Sequence, residues 1–313
     1  MSANFAFVFP GQGSQAVGML DAWGDHPEVL RTLAEASDAL GEDIAALIKS
    51  GPKEQLDLTT NTQPVMLTAG IACYRAWIAE TGLVPAAAAG HSLGEYSALV
   101  AAGALSLADA LPLVRFRAQA MQEAVPVGVG AMAAILGLDS QAVRDGCVAA
   151  AAAAGEPVEA VNFNDPKQTV IAGSKAGVDK ACEMLKGAGA KRALLLPVSA
   201  PFHSSLMKPA AEALKTKLAA TQFAPLNFPV INNIDVAAVS DAEGLRDALY
   251  RQAFGPVRWV EVIQALKARG LTHIIECGPG KVLAGMSKRI DSEIIGTTVL
   301  DPSSLSDARA LLG

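Results

Sequence analysis

Five consecutive apolar residues near the start of the chain, Phe5-Ala6-Phe7-Val8-Phe9, stop abruptly at Pro10-Gly11. A strand with one face in water alternates apolar and polar residues; an unbroken run does not, so both of its faces need cover. A parallel sheet sandwiched between helices meets that need. Leu83–Ala89 and Ile274–Cys277 read the same way, the second stopped by Gly278-Pro279-Gly280. Glu95–Ala102 reads as a helix, and Ser106-Leu107-Ala108-Asp109 has the spacing of a capping box opening a helix to about Val125. Strands alternating with helices predict an α/β fold with a mostly parallel sheet.

The pattern changes in the middle of the chain. Gly128–Leu138, Val158–Asn162 and Thr169–Gly173 read as short strands, and Ser140–Ala154 and Lys175–Gly187 as helices. With Leu194–Val198 as a closing buried strand, the order is β-α-β-β-α-β, which predicts a small ferredoxin-like α+β insert. The expected division is a larger catalytic unit from residues 1–126 and 199–313, interrupted by the insert at 127–198.

Composition narrows the function classes. Of 313 residues, 51 % are hydrophobic and 18 % charged, enough apolar material for a large core and too much for a disordered chain. The 25 basic and 31 acidic residues leave a net charge of −6, which argues against general nucleic-acid binding. Cys73, Cys147, Cys182 and Cys277 lie far apart without a CxxC, so neither a zinc site nor a disulfide framework is expected. Met1 to Pro10 has no basic leader pattern, and no apolar run reaches the roughly 18 residues of a membrane span. A cytoplasmic protein with reduced thiols and no metal is expected.

Gly90-His91-Ser92-Leu93-Gly94 matches G-x-S-x-G between a predicted strand and a predicted helix, the setting of a nucleophile elbow. The glycines permit the tight turn, Ser92 is lifted to the carboxyl edge of the sheet, and the Leu93 N–H faces a developing oxyanion. Four histidines could serve as base. His91 adjoins Ser92 in the turn and is badly placed; His26 lies in a polar loop; His273 precedes its strand and lies at the wrong end of the sheet. His203 follows a predicted strand and precedes a helix near Leu206, which places it on the carboxyl-edge loops where α/β sites assemble. No aspartate announces itself as a third triad member; a backbone carbonyl is one candidate to orient the histidine instead, giving a dyad. The loop Pro10-Gly11-Gln12-Gly13-Ser14 lacks the phosphate-loop pattern and reads instead as a turn bringing the Gln12 N–H to the site as a second oxyanion donor. Arg117, between Leu113 and Met121 at helical spacing, lies on a more apolar strip than Arg115. A buried arginine needs an anion, and a substrate carboxylate is one candidate.

Together these residues resemble the malonyl-CoA:acyl-carrier-protein transacylase family, nearly end to end. The likeness runs through Phe9–Gln15, Asn61-Thr62-Gln63-Pro64, Gly90–Glu95, Arg115-x-Arg117, Gly130-Ala131-Met132, Val161-Asn162-Phe163-Asn164, Leu196–His203 and Gly278-Pro279-Gly280. It implies an α/β-hydrolase-like larger unit carrying the ferredoxin-like insert. It implies Ser92 as nucleophile, His203 as base, Arg117 on the malonyl carboxylate, Leu93 and Gln12 as oxyanion donors, and the Gln252 backbone carbonyl orienting His203. Gln63, Met132, Asn162 and Phe202 match the pocket. Ala200-Pro201 departs from the His-Ala that precedes Phe-His in modular malonyl-selective relatives. The implied reaction moves malonyl from malonyl-CoA to the thiol of an acyl carrier protein, with no cofactor, in fatty-acid synthesis. Alternatives are a serine esterase or thioesterase and the equivalent enzyme of a polyketide pathway. A monomer is expected, meeting its acidic carrier through Lys186, Lys191, Arg192, Lys281, Lys288 and Arg289.

Overall fold

The computed structural model describes residues 4–198 and 200–313. Met1–Ala3 and Ser199, where the larger unit was expected to resume, lie outside the described residues. The chain runs from β1 (Phe5–Phe9) through α1 (Pro27–Leu40), α2 (Ile44–Ser50) and α3 (Lys53–Leu56) to a long α4 (Thr59–Thr81). Next come β2 (Ala87–Gly90), α5 (Gly94–Ala101) and α6 (Leu107–Glu123). The middle of the chain supplies β3 (Gly130–Leu136), α7 (Ser140–Ala154), β4 (Val158–Asp165), β5 (Gln168–Ser174), α8 (Lys175–Gly187) and β6 (Arg192–Leu195). The remainder forms α9 (Lys208–Ala220), β7 (Val230–Ile231), α10 (Ala242–Gln252), α11 (Trp259–Ala268), β8 (His273–Cys277), α12 (Val282–Ile290), β9 (Ile295–Val299) and α13 (Pro302–Leu312).

The first sheet is parallel throughout, in the order β7-β2-β1-β8-β9. Its centre explains the unbroken apolar run of β1. Phe5, Phe7 and Phe9 point to one side, where Phe5 and Phe7 meet Trp77 of α4 edge-on and Phe7 and Phe9 meet Tyr74. Ala6 and Val8 point to the other side, into the cluster with Val262, Ile263 and Leu266 of α11 and Leu283 and Met286 of α12. All five residues are fully buried, and each phenylalanine contributes about 1.5–3 kcal/mol by leaving water. β2 is almost all alanine, so its small side chains let α5 pack close beside it.

The second sheet is antiparallel, in the order β4-β5-β3-β6. Alternation along β3 assigns its faces. Ala133 and Ile135 pack with Val143, Cys147, Val178 and Leu185 of α7 and α8. Met132 and Ala134 face the other way, against Leu196, Val198 and Phe202. Backbone bonds tie this sheet to the segment before α11: Phe163 donates to the Val257 carbonyl (2.9 Å) and Val257 to the Val161 carbonyl (2.8 Å). Arg289 of α12 adds an ion pair to Asp165 at 2.7 Å.

Three expectations need correction. Leu83–Ala89 is not one strand: pairing begins only at Ala87, because Pro85 has no N–H for a ladder and the Leu83 carbonyl accepts instead from Trp77 Nε1. Leu194–Val198 is not a buried strand. β6 covers Arg192–Leu195 at the edge of the second sheet, with Leu194 and Leu195 46 % and 59 % exposed; beyond it Leu196 keeps one backbone bond, to the Met132 carbonyl of β3 (2.9 Å). The helix after Ser106 has only half of the expected capping box: the serine Oγ accepts from Asp109 N, but the Asp109 carboxylate takes the Ser106 hydroxyl instead of its backbone N–H; the helix ends at Glu123, close to the expected Val125. Among the described residues, no helix is long and apolar enough to cross a membrane.

Candidate active site

β1 and β2 run side by side and end at the same edge, where the chain turns from Gly90 into α5. The turn is made by close backbone approach. A Cβ on Gly90 would lie 1.9 Å from the Gly94 carbonyl, and one on Gly94 would lie 2.1 Å from the Phe9 carbonyl oxygen. Only glycine fits at either position. Between them Ser92 sits at φ +53°, a left-handed conformation costly for a serine. Asn233, just after β7, holds the turn. Its Oδ1 accepts from Ser92 N (2.8 Å) and its Nδ2 donates to the Gly90 carbonyl (2.7 Å).

His203 reaches the serine from the loop before α9, with Nε2 2.6 Å from Ser92 Oγ. Its Nδ1 lies 2.9 Å from the backbone oxygen of Gln252, at the end of α10. A carbonyl only accepts, so Nδ1 carries the proton and Nε2 is the free base facing the serine hydroxyl. His203 also sits at a left-handed φ of +65°. Burial, then the neighbouring Arg117 charge, push its pKa down to about 3, so the ring stays neutral. The other histidines make other bonds, as expected, although His91 lines the same cavity as Ser92. His91 Nε2 pairs with Asn164 Oδ1 at 2.8 Å, His26 accepts from Glu28 N at the start of α1, and His273 begins β8 at the far end of the sheet.

Arg117 of α6 is 2 % exposed, and its fork is held by neutral oxygens. Nη1 donates to Gln63 Oε1 (2.7 Å), and Nη2 donates to Gln252 Oε1 (3.1 Å) and Ser92 Oγ (3.3 Å). The Tyr96 ring lies 5.5 Å from the guanidinium carbon. Burial pulls the Arg117 pKa below its ordinary value. Arg115 is not the solvated side chain that helix arginines usually are. It is half-buried and joins α6 to Asn61 (3.0 Å) and Glu42 (2.6 Å).

One cavity of about 130 Å³ gathers Gln12, Gln63, Ser92, Leu93, Arg117, Met132, Asn162, Phe202 and His203, every pocket residue that the sequence singled out. Met121, Leu196 and Val198 complete its apolar wall. Its volume is below the roughly 300 Å³ at which drug-sized pockets begin, which suits a short acyl group. Gln12 also donates through Nε2 to Thr59 Oγ1 at 3.2 Å, tying the loop after β1 to α4. Gln252 lies beneath the cavity, fully buried, and does more than lend its carbonyl. Its Nε2 donates to the Ser92 carbonyl and to Glu95 Oε2, both at 3.0 Å. Sequence reasoning missed that side chain's part, together with Glu95, Asn164 and Asn233. Glu95 lay inside the quoted motif, whereas Asn233 lies in no motif that the sequence singled out.

The acyl transferase domain family matches residues 6–294. The malonyl CoA-acyl carrier protein transacylase of Escherichia coli is 51 % identical over 309 residues, covering 98 % of this chain and 99 % of that protein. The crystal structure of an acyl-carrier-protein S-malonyltransferase from Burkholderia pseudomallei is 64 % identical, with a TM-score of 0.95 over 97 % of this chain and 98 % of that one. A malonyl-transacylase in complex with a type II PKS acyl-carrier protein is 48 % identical, with a TM-score of 0.95 over the same shares of the two chains. The chain belongs to the acyl transferase domain family, among its malonyl CoA-acyl carrier protein transacylases.

Proposed function

We propose that the chain transfers the malonyl group from malonyl-CoA to the thiol of an acyl carrier protein through a malonyl-Ser92 intermediate. The observation that carries this reading is a buried arginine, held only by neutral oxygens, in the same small cavity as an activated serine. In the first half-reaction His203 Nε2 takes the Ser92 proton as Oγ attacks the thioester carbon. The Leu93 N–H at the start of α5 and the Gln12 N–H after β1 receive the oxyanion, each worth about 3 kcal/mol. Collapse expels the CoA thiolate, which takes the proton from His203. The carrier thiol then enters, loses its proton to His203 and attacks malonyl-Ser92; the acyl–Oγ bond breaks as the new thioester forms, and Ser92 Oγ takes the proton back from His203. Arg117 holds the malonyl carboxylate through both halves. The apolar wall of Met121, Met132, Leu196, Val198 and Phe202 keeps water from the acyl-enzyme.

The finer fold reading is an α/β-hydrolase-like unit, residues 1–126 and 199–313, with a ferredoxin-like insert at 127–198. The β-α-β-β-α-β order and the antiparallel β4-β5-β3-β6 sheet support the second label. The shared acyl carrier protein names of the relatives support the partner, and the place of work is taken as the cytoplasm, as a monomer. Intact-mass measurement tests the reading: malonyl-CoA adds one malonyl mass to the wild type and none to Ser92→Ala. A labelled peptide that lacks Ser92 overturns it.

A further inference from the structure

Glu95 has no part in the chemistry just described, yet it is 2 % exposed and stands three residues after the nucleophile. Its Oε2 accepts from Asn233 N at 2.9 Å and from Gln252 Nε2 at 3.0 Å. The Gln252 amide therefore has its two ends sorted. The NH2 end donates to the Ser92 carbonyl, which only accepts, and to Glu95 Oε2, which only accepts as the carboxylate, and the oxygen end is turned to Arg117 Nη2. An amide turned the other way would aim N–H groups at a guanidinium that has only donors, and would leave the Glu95 oxygen facing another oxygen.

This arrangement solves a problem peculiar to a binding arginine. A buried guanidinium needs negative charge nearby, yet a carboxylate in direct contact would occupy the fork that the substrate must use. Here the negative group stands one amide away. Glu95 and Arg117 attract each other electrostatically, but the groups touching the fork are Gln252 Oε1, Gln63 Oε1 and Ser92 Oγ. Burial raises the Glu95 pKa to about 7, and its hydrogen bonds from Gln252 and Asn233 oppose that rise, ahead of the Arg117 charge.

We propose that Glu95 is a positioning residue for carboxylated acyl groups: it fixes the Gln252 amide oxygen toward Arg117 and supplies the arginine's counter-charge at one remove, leaving the fork free of a competing carboxylate. The proposal rests on the malonyl-transfer reading above. Glu95→Gln keeps the shape but removes both the charge and the acceptor-only character. The ratio of kcat/KM for malonyl-CoA to that for acetyl-CoA is expected to fall about tenfold, mostly through KM for malonyl-CoA, a coupling ordinary for residues in one hydrogen-bond network. Gln252→Glu is the second variant. It keeps the backbone carbonyl for His203 but sets a carboxylate directly against Arg117, and it is expected to lower the same ratio. Thermal midpoints and the circular dichroism of both variants establish that they are folded. If Glu95→Gln or, should it not fold, Gln252→Glu slows malonyl and acetyl transfer alike, the proposal is overturned and Glu95 is a purely structural group. A wild type without preference for malonyl would instead defeat the functional reading itself.

Discussion

On the proposed reading, selectivity turns on Arg117. Malonyl offers its guanidinium two carboxylate oxygens; acetyl offers a methyl group and leaves the charge with neutral partners only. Truncating one side of a buried charge pair costs about 2–5 kcal/mol, so Arg117→Ala is expected to lower kcat/KM for malonyl-CoA by about 30-fold or more. Acetyl transfer should lose much less. Arg115→Ala is the companion variant: it breaks the ties to Asn61 and Glu42, so it should lower the thermal midpoint and leave the malonyl-to-acetyl ratio where it was. Equal losses for both substrates in Arg117→Ala would make that arginine structural. Ser92, His203 and Arg117 were legible in the sequence because each is defined locally, by a strand end, a loop or an apolar helix strip. Asn233 and the Gln252 side chain were not. Their partners Ser92 and Glu95 lie 141 and 157 residues away, and nothing in a short window marks an asparagine or glutamine as a partner of either.

At the scale of elements, the join between β8 and α12 carries the most unusual side chain outside the site. Glu276 is fully buried on β8, and its Oε2 accepts from Ala284 N at 2.9 Å in the first turn of α12. Burial raises its pKa to about 7, with the helix N–H groups pulling the other way. A carboxyl whose pKa is raised by folding stabilises fully below its unfolded pKa, and that contribution is lost as pH rises through the folded value. The stability of the wild type relative to Glu276→Gln should therefore shrink by about 1–3 kcal/mol between about pH 5 and about pH 8. Denaturant unfolding of the two proteins at both pH values measures this, and a difference that grows with pH contradicts it. Elements with a clear local pattern were read closely: α7 and α8 fall on their expected residues, and β1 on its apolar run. α4 went unread because most of its residues from Thr59 to Trp77 are buried, so it has no polar stripe, and Pro64 lies inside it. β6 misled because two exposed leucines on an edge strand look, in sequence, like a core strand.

For the whole molecule, the parallel sheet presents Ser92 and the antiparallel sheet brings Met132 to the same cavity, with backbone bonds at Val257 joining β4 to the segment before α11. A carrier protein must reach the same cleft. Lys186, Lys191, Arg192, Lys281 and Lys288 are exposed despite the net charge of −6, whereas Arg289 is engaged with Asp165. Charge-steered docking weakens with salt, so kcat/KM for an acidic carrier should fall more steeply with ionic strength than kcat/KM for pantetheine. Equal salt dependence for the two acceptors would remove these residues from the docking surface. On the proposed reading the acyl-enzyme waits for a thiol. Wild-type protein is loaded with radiolabelled malonyl-CoA, freed of excess substrate, and then either held in buffer or mixed with carrier protein bearing its phosphopantetheine thiol. The label is expected to stay on Ser92 in buffer and to move to the carrier on mixing; release of free malonate in buffer at the rate of turnover would contradict the account.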